Sequence, residues 1–343
     1  MKIAIIGATG AVGRELLNVL EKRQFPLKEL KCFASESSVG KKVPFRDQLI
    51  PVEALKEDSL EGVNFAFFSA GKKVSKQYAP LAQKSGTVMI DNTSAFRMDP
   101  GVPLVIPEIN PHVLKSHKGI LSCPNCIVAV MLMALAPLHK KYKIKRIVAS
   151  TYQAASGAGQ KAVEELLLET KAYLEKQPFE RTVFPHPYAF NLFLHNSPVN
   201  EQGISEEEAK IVSETRKILE DETIQTTVTC VRIPVLRAHS ISLNVEFREP
   251  ITRNNALSIL KEAPGVTLLE DWNQNRFPMP LDATFQDNIF CGRIREDLTQ
   301  PNTLEMWVVG DQLLKGAALN CVQIAEKLME DRENHRDTEK LSE

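Results

Sequence analysis

Lys2-Ile3-Ala4-Ile5-Ile6-Gly7-Ala8-Thr9-Gly10-Ala11-Val12-Gly13, followed by Arg14-Glu15-Leu16-Leu17-Asn18-Val19-Leu20, opens the chain. Residues 3–6 are a short, branched, uninterrupted apolar run, the signature of a parallel strand buried on both faces. Residues 14–20 change to helical spacing. Between them stands a glycine turn, G-x-x-G-x-x-G, a variant of the phosphate-binding fingerprint in its required strand–turn–helix context. Glycines let the backbone approach a pyrophosphate, and the helix N-terminus offers unpaired amides and positive potential. This predicts a Rossmann-type dinucleotide-binding domain whose loop is Gly7, Thr9, Gly10, Ala11, Val12 and Gly13. A tight structural turn is the alternative reading.

Further buried strands follow at residues 30–34, 63–68 and 88–90. In such sheets ligands sit beyond the carboxyl ends of the strands, which nominates Ser69, Ala70 and Gly71. After residues 30–34 an NAD enzyme would place an acid for the ribose hydroxyls. Here Ser35, Ser37, Ser38, Lys41 and Lys42 surround Glu36, so NADP is favoured over NAD.

Beyond residue 125 the pattern changes. Strand-like runs appear at 146–152, 224–233 and 240–247, and the last two alternate apolar with polar residues, as strands with one covered face do. Helical segments intervene at 160–175 and 205–221, the latter opened by a Ser205/Glu208 capping box. The whole is α/β: a dinucleotide-binding domain of residues 1–125 with 315–343, and an α+β catalytic and dimerisation domain of residues 126–314 with a mixed, largely antiparallel sheet. A helix at 313–329 is expected to pack back onto the first domain, and the polar tail 330–343 to fray.

Composition narrows the function. The 343 residues are 43% apolar and 25% charged, with a formal net charge of −1. No basic field exists to draw nucleic acid or an anionic membrane surface. No stretch approaches the roughly 18 apolar residues of a membrane span, and the chain opens on a strand rather than a leader, so a cytoplasmic location is expected. The six cysteines, at 32, 123, 126, 230, 291 and 321, form neither a disulfide framework nor a zinc pattern, and no metal is expected.

Cys126 stands out. Ser122-Cys123-Pro124-Asn125-Cys126 precedes the helix-forming apolar run of residues 127–133. A thiol there sits at a helix N-terminus, where the macrodipole favours thiolate. An activated thiol beside a nicotinamide points to carbonyl redox chemistry through an enzyme-bound thioester. Such chemistry needs an acid/base partner. His239, in Arg232-Ile233-Pro234-Val235-Leu236-Arg237-Ala238-His239-Ser240, joins two β-rich runs and is the best placed of seven histidines; His186 and His195 read as loop residues. Gln153 ends a strand before Ala154-Ala155-Ser156-Gly157-Ala158-Gly159, whose small residues admit a ligand.

Seven ordered segments resemble the aspartate-β-semialdehyde dehydrogenase family: GATGAVG (7–13), DNTSAFR (91–97), VPLVIPEIN (102–110), CPNC (123–126), STYQAASGAG (150–159), VRIPVLRAHS (231–240) and MWVVGDQLLKGAA (306–318). The resemblance implies interconversion of L-aspartate 4-semialdehyde plus phosphate with L-4-aspartyl phosphate, using NADP(H), in lysine/diaminopimelate, threonine and methionine biosynthesis. It implies Cys126 as nucleophile, His239 as general acid/base and Gln153 as orienting residue. Arg232 would grip the α-carboxylate, Glu207 the α-amino group, and Arg97, Lys210 and Asn125 the phosphate. Ser156, Gly157 and Gln312 would join the cofactor site. The partners implied are a small-molecule substrate and a second copy, as a homodimer. Three positions depart from the family: Ile127 follows the nucleophile where Ser or Thr is common, Ser37 stands where an arginine often meets the 2′-phosphate, and Ala209 stands where a larger residue is usual, a packing variation. Two other readings remain, an N-acetyl-γ-glutamyl-phosphate reductase-like enzyme and a non-catalytic NADP-binding redox sensor using Cys123 and Cys126. A short-chain dehydrogenase needs Tyr-x-x-x-Lys, and none of the five tyrosines has a lysine four residues on.

Overall fold

Seven strands build the first sheet: β1 (Lys2–Ile6), β2 (Glu29–Ala34), β3 (Lys42–Phe45), β4 (Gln48–Ala54), β5 (Phe65–Phe68), β6 (Val88–Asp91) and β7 (Ile120–Ser122), in the order β3-β4-β2-β1-β5-β6-β7. The computed structural model describes residues 1–340, with side chains to residue 331. All pairings are parallel except β3 with β4. Without β3, the strand order is that of a doubly wound dinucleotide fold, reversing direction between β1 and β5. Ile3 to Ile6 and Phe65 to Phe68 are buried on both faces, as their unbroken apolar runs require. Helices α1 (Ala11–Lys22) and α2 (Lys72–Lys84) cover the sheet. The β3–β4 hairpin was not anticipated. Its strands are short, and Arg46, with φ of 50°, makes the turn without a glycine to announce it.

The described chain divides into two compact units, Met1–Pro124 with the segment from Ala317 onward, and Asn125–Gly316. The second unit opens with α3 (Cys126–Tyr142) and contains β8 (Ile144–Gln153), α4 (Gln160–Leu174), β9 (Phe193–Leu194), α5 (Glu206–Leu219), β10 (Gln225–Arg232), β11 (His239–Phe247), α6 (Arg253–Glu262), β12 (Val266–Leu268), α7 (Pro280–Ala283), β13 (Ile289–Glu296) and β14 (Thr303–Gly310). Its sheet runs β12-β13-β14-β11-β8-β10-β9. It is mixed: β8 with β10 and β12 with β13 are parallel, the rest antiparallel. The expected two-part α/β architecture is therefore what the chain adopts.

α3 lies on one face of this sheet and is apolar almost all round. Residues 127–135 are buried within 2% of completely, consistent with packing against β8, β11, β13 and β14 and against α5 and α6. Each fully buried Leu, Ile or Met there contributes about 1.5–3 kcal/mol. The opposite face, with Val148, Tyr152, Ser242 and Trp307 at its centre, is only partly covered within the chain.

The last described helix, α8 (Leu319–Lys340), belongs to the first unit, where Glu326 accepts both Arg23 nitrogens at 2.7 Å. It follows a π-helical turn, Leu314–Ala318. The tail expected to fray is helical as far as Lys340, and residues 341–343 lie outside the described residues.

Two buried carboxylates on α4 tie down the long connection to β9. Glu165 accepts the amides of Thr182, Val183 and Phe184, and Glu169 those of Tyr188 and Ala189. Burial works against the Glu165 charge, but the three amides outweigh it and hold this carboxyl below the usual carboxylate range. A lowered carboxyl stabilises the fold above its unfolded pKa of about 4.3, and that contribution disappears as pH falls through the folded value. Glu165→Gln is therefore expected to lose about 1–3 kcal/mol at neutral pH and to flatten the acid limb of the stability curve. Chemical unfolding at a series of pH values measures both; an unchanged acid limb contradicts the assignment.

Candidate active site

Alternation along the second sheet decides which side chains meet. In β8 the buried row is Ile147, Ala149, Thr151 and Gln153; in β11 it is His239, Ile241, Leu243, Val245 and Phe247; in β10 it ends in Cys230 and Arg232. Register aligns the ends. Arg232 is opposite Gln153, and Ser240 is opposite Tyr152, which brings His239 to the Gln153 level. On the other side His239 pairs with Gly310 of β14. Three of the expected catalytic or substrate-binding residues thus end three adjacent strands, on the face that α3 covers.

Cys126 is the first residue of α3. Its N-cap Asn125 accepts the Ile127 amide at 2.8 Å through Oδ1. Asn125 also donates through Nδ2 to Glu207 Oε1 at 2.8 Å, and its own amide donates to Glu214 Oε2 at 2.6 Å. Glu207 Oε1 lies 3.4 Å from Gln153 Nε2 as well. The helix start that carries the thiol is therefore anchored through α5 to the end of β8. Gly316 closes the other side: a Cβ there would sit 2.9 Å from Cys126 Cβ. Of the six cysteines, five are buried and Cys126 alone is partly exposed. Burial pushes the Cys32, Cys230 and Cys291 thiols up to about 12 and raises Cys321 well above the ordinary thiol value, so those sulfurs stay protonated. Cys123, weighed earlier as a partner for Cys126, instead has its Sγ 2.9 Å from that of Cys321 in the first unit.

His239 is fully buried. Its Nδ1 accepts the Ala154 amide at 3.0 Å, which puts the proton of the neutral ring on Nε2. That Nε2 has no hydrogen-bond partner among the described residues. Burial first and then the Arg232 guanidinium push the His239 pKa well below the ordinary histidine value. Arg232 is 95% buried. One of its terminal nitrogens contacts the Ala154 carbonyl at 3.3 Å, another meets His195 Nε2 at 2.8 Å, and its Nε has no partner among the described residues. Two buried donors left unpartnered in one site are costly unless a ligand satisfies them. Gly157 keeps the space open: a Cβ there would come within 2.9 Å of His239 Cε1 and 3.2 Å of an Arg232 nitrogen. Gln312 accepts the Ala238 amide at 2.9 Å and donates to Ser156 Oγ, fixing the strand that presents His239. Ser156 and Gln312, expected at the cofactor, are thus engaged with each other.

Glu207 is buried, yet its carboxyl lies below the usual range: burial would raise it, but the Asn125 amide and the Lys210 and Arg232 charges outweigh that. Lys210 forms its ion pair with Glu206 at 2.9 Å. Asn125 is committed to the α3 cap and Glu207. Arg97 belongs to the first unit, where it donates to the Cys123 carbonyl at 2.9 Å and the Asn92 carbonyl at 3.1 Å. Two residues were not anticipated, Glu214 and His195. Glu214 had a signal: it lies two turns after Glu207, and both occupy the face of α5 shared with Ile211 and Ile218. His195 had none, because it follows a two-residue strand in an irregular loop.

The dinucleotide loop is formed in the first unit. Gly7 has φ of +96°, and the Gly7 and Ala8 amides both donate to the Phe33 carbonyl. A Cβ at Gly13 would lie 2.1 Å from the Gly7 carbonyl, so only glycine lets α1 start this close to the turn. Ser69, just after β5, donates its amide to Ile6 and faces Gly7, which places the ends of β1 and β5 together at the topological switch point. Past β2, Ser35 and Ser37 hydroxyls stand 3.0 Å apart. This cradle fits a dinucleotide.

The family model "Semialdehyde dehydrogenase, NAD binding domain" matches residues 2–117, and "Semialdehyde dehydrogenase, dimerisation domain" matches residues 135–315. Fold and site together define a nicotinamide-dependent oxidoreductase of the semialdehyde dehydrogenase class. Within that class, the chain belongs to the aspartate-semialdehyde dehydrogenase family. It is 51% identical over 330 residues to the aspartate-semialdehyde dehydrogenase of Synechocystis sp., covering 96% of this chain and 98% of the relative. It superimposes with a TM-score of 0.93 on aspartate semialdehyde dehydrogenase II from Vibrio cholerae complexed with ASA, at 40% identity and over 96% and 98% of the two chains. A Candida albicans aspartate semialdehyde dehydrogenase with NADP shares the fold at 23% identity and a TM-score of 0.74, over 96% and 98% of the chains. The second unit is a dimerisation domain, and the assembly it defines is the homodimer. Among the described residues no helix is long and apolar enough to cross a membrane.

Proposed function

We propose that this enzyme interconverts L-4-aspartyl phosphate with L-aspartate 4-semialdehyde and phosphate through a thioester on Cys126, with NADP(H) as redox partner. The observation that carries the reading is the grouping in one unit of the single partly exposed thiol, at a helix N-terminus, with two buried unpartnered donors, His239 Nε2 and Arg232 Nε.

In the reductive direction the Cys126 thiolate attacks the acyl carbon and phosphate departs, leaving the thioester. Gly7 to Gly13, Ser35, Ser37, Ser38 and Ser69 to Gly71 would hold the dinucleotide, which would supply the hydride that reduces that carbonyl carbon. The oxygen takes up the proton of His239 Nε2, which the tautomer makes a donor rather than a base toward sulfur. As the carbon–sulfur bond breaks, the hydroxyl returns the same proton to Nε2, and the aldehyde and thiolate separate. Arg232 receives the substrate α-carboxylate, for which a guanidinium with an open Nε is suited. The ionised Glu207 receives the α-ammonium, with Gln153 beside it. Arg97 and Lys210 are assigned to the phosphate, and Asn125 holds the helix that presents the thiol. Ser35 and Ser37 can meet a 2′-phosphate, which favours NADP. The setting is cytoplasmic biosynthesis of the aspartate-derived amino acids lysine, threonine and methionine.

The test is an absorbance assay at the reduced-nicotinamide band with aspartate semialdehyde, phosphate and either NADP or NAD. Phosphate-dependent reduction of NADP is expected. Turnover of N-acetyl-glutamate semialdehyde in its place moves the enzyme to the sister reductase, and no turnover of either aldehyde overturns the reading.

A further inference from the structure

Arg232 can grip a carboxylate only if its fork is held in one orientation, and the group that holds it is His195. Its Nε2 lies 2.8 Å from an Arg232 terminal nitrogen. A guanidinium has donors only, so this Nε2 must present its lone pair. A neutral ring then carries its proton on Nδ1. Ser197 Oγ lies 3.1 Å from Nδ1 and accepts that proton; Ser197 Oγ also lies 3.2 Å from the Glu207 amide, in the first turn of α5. The Ser197 amide also aims its N–H at Nδ1, at 3.2 Å, so this amide and Arg232 compete for the one lone pair of the neutral ring, and the shorter, charge-assisted contact at 2.8 Å is the one from Arg232.

We propose that His195 is a positioning residue of the substrate site, a neutral Nδ1–H imidazole that orients the Arg232 guanidinium and couples it, through Ser197, to the helix turn bearing Glu207. This deepens the proposed function and rests on its assignment of Arg232 and Glu207 to the two charged ends of the substrate. Neutrality is secured by the surroundings: burial and the Arg232 and Lys210 charges, opposed by Glu207 and Glu208, bring the ring down to about 4. Protonated, the same ring would turn a donor toward Arg232 and lose the contact.

The two substrate-recognition groups are in this way not independent. A single ring sets the distance and orientation between the cationic and anionic receptors, which is what discriminates an α-amino acid from an aldehyde lacking either group.

The experiment compares His195→Leu with His195→Gln in the full-length enzyme. Leucine removes the acceptor, whereas the Gln Oε1 can occupy the Nε2 position and accept from Arg232. Expected for His195→Leu is a rise in KM for aspartate semialdehyde of about 10- to 100-fold, with a much smaller fall in kcat and with KM for phosphate and NADP little changed. Expected for His195→Gln is recovery of KM to within about 3-fold of the parent. An unchanged KM in the leucine variant overturns the proposal, as does a glutamine variant no better than leucine, or a parallel rise in all three KM values. The parent enzyme in the same assay tests the function itself. A readout without substrate decides the ring separately: histidine-selective 15N spectra should contain an Nδ1-protonated ring that vanishes in His195→Leu, and an Nε2-protonated His195 overturns the proposal whatever the activity.

Discussion

Replacing Cys126 with serine lowers turnover by about three orders of magnitude or more, while the protein stays folded and still binds dinucleotide. The reasoning is chemical. A hydroxyl at this position is protonated at neutral pH and is a far weaker nucleophile than a thiol at a helix N-terminus, where the unpaired amides and the macrodipole favour the anion. No other sulfur can substitute. The remaining cysteines are buried, and desolvation holds Cys32, Cys230, Cys291 and Cys321 protonated. Serine is nearly isosteric and Cys126 is only partly buried, so the thermal midpoint should move little. Two measurements together decide the point: steady-state turnover, and mass spectrometry of the enzyme quenched with aspartyl phosphate in the absence of reductant. The parent should carry an acyl adduct on the peptide containing Cys126, and the serine variant none. Serine turnover within a few-fold of the parent would falsify the thioester route.

His239→Asn should cost about a hundred- to ten-thousand-fold in kcat, with little change in KM for the aldehyde. Asparagine is the informative substitution. Its Oδ1 can take over the bond from the Ala154 amide that Nδ1 now accepts at 3.0 Å, while nothing replaces the donor at Nε2. Alanine would lose both, leaving a buried amide unpaired at a cost of about 1–3 kcal/mol, so lost activity could then reflect a disturbed strand end. The ring is fully buried beside Arg232 and its pKa lies well below the ordinary histidine value. A lowered pKa keeps the ring neutral from alkaline pH down past about 6.5, so the pH–rate profile should show no histidine limb there. If the asparagine variant retains full kcat, the proton on the reacting oxygen comes from elsewhere.

Both predictions concern residues visible in the sequence, and the reason is periodicity. The glycine turn between an apolar strand and a helix announced the dinucleotide fold, because only such spacing lets α1 begin against the Gly7 carbonyl. Cys126 could be placed at a helix start because an apolar run follows it, and Gln153 and His239 because each borders a β-rich run; Arg232 came from the family resemblance. The alternation in those runs also implied a covered face. What periodicity could not supply was the register between strands remote in sequence. β8 pairs with β10 and β11 across about 80 to 100 residues. Only that pairing sets Arg232, Gln153 and His239 side by side.

The same limit explains the rest. Lys210 and Glu207 lie three residues apart on α5, yet Lys210 pairs with Glu206 and Glu207 meets the buried Asn125 and Gln153. The β3–β4 hairpin lacked a glycine turn and went unread. Taken alone, the amino-acid sequence determined the strands of the dinucleotide fold apart from the β3–β4 hairpin and β7, the runs that became β8, β10 and β11, and the choice of Cys126 as candidate nucleophile, since these follow from local propensity and from chemistry carried by single residues. Tertiary structure alone decided which donor each buried acceptor meets: that His239 is protonated on Nε2, that Arg232 leans on His195, and that α5 holds the cap of α3. Those contacts join segments far apart in sequence, and their energies depend on burial and distance, which no local pattern encodes.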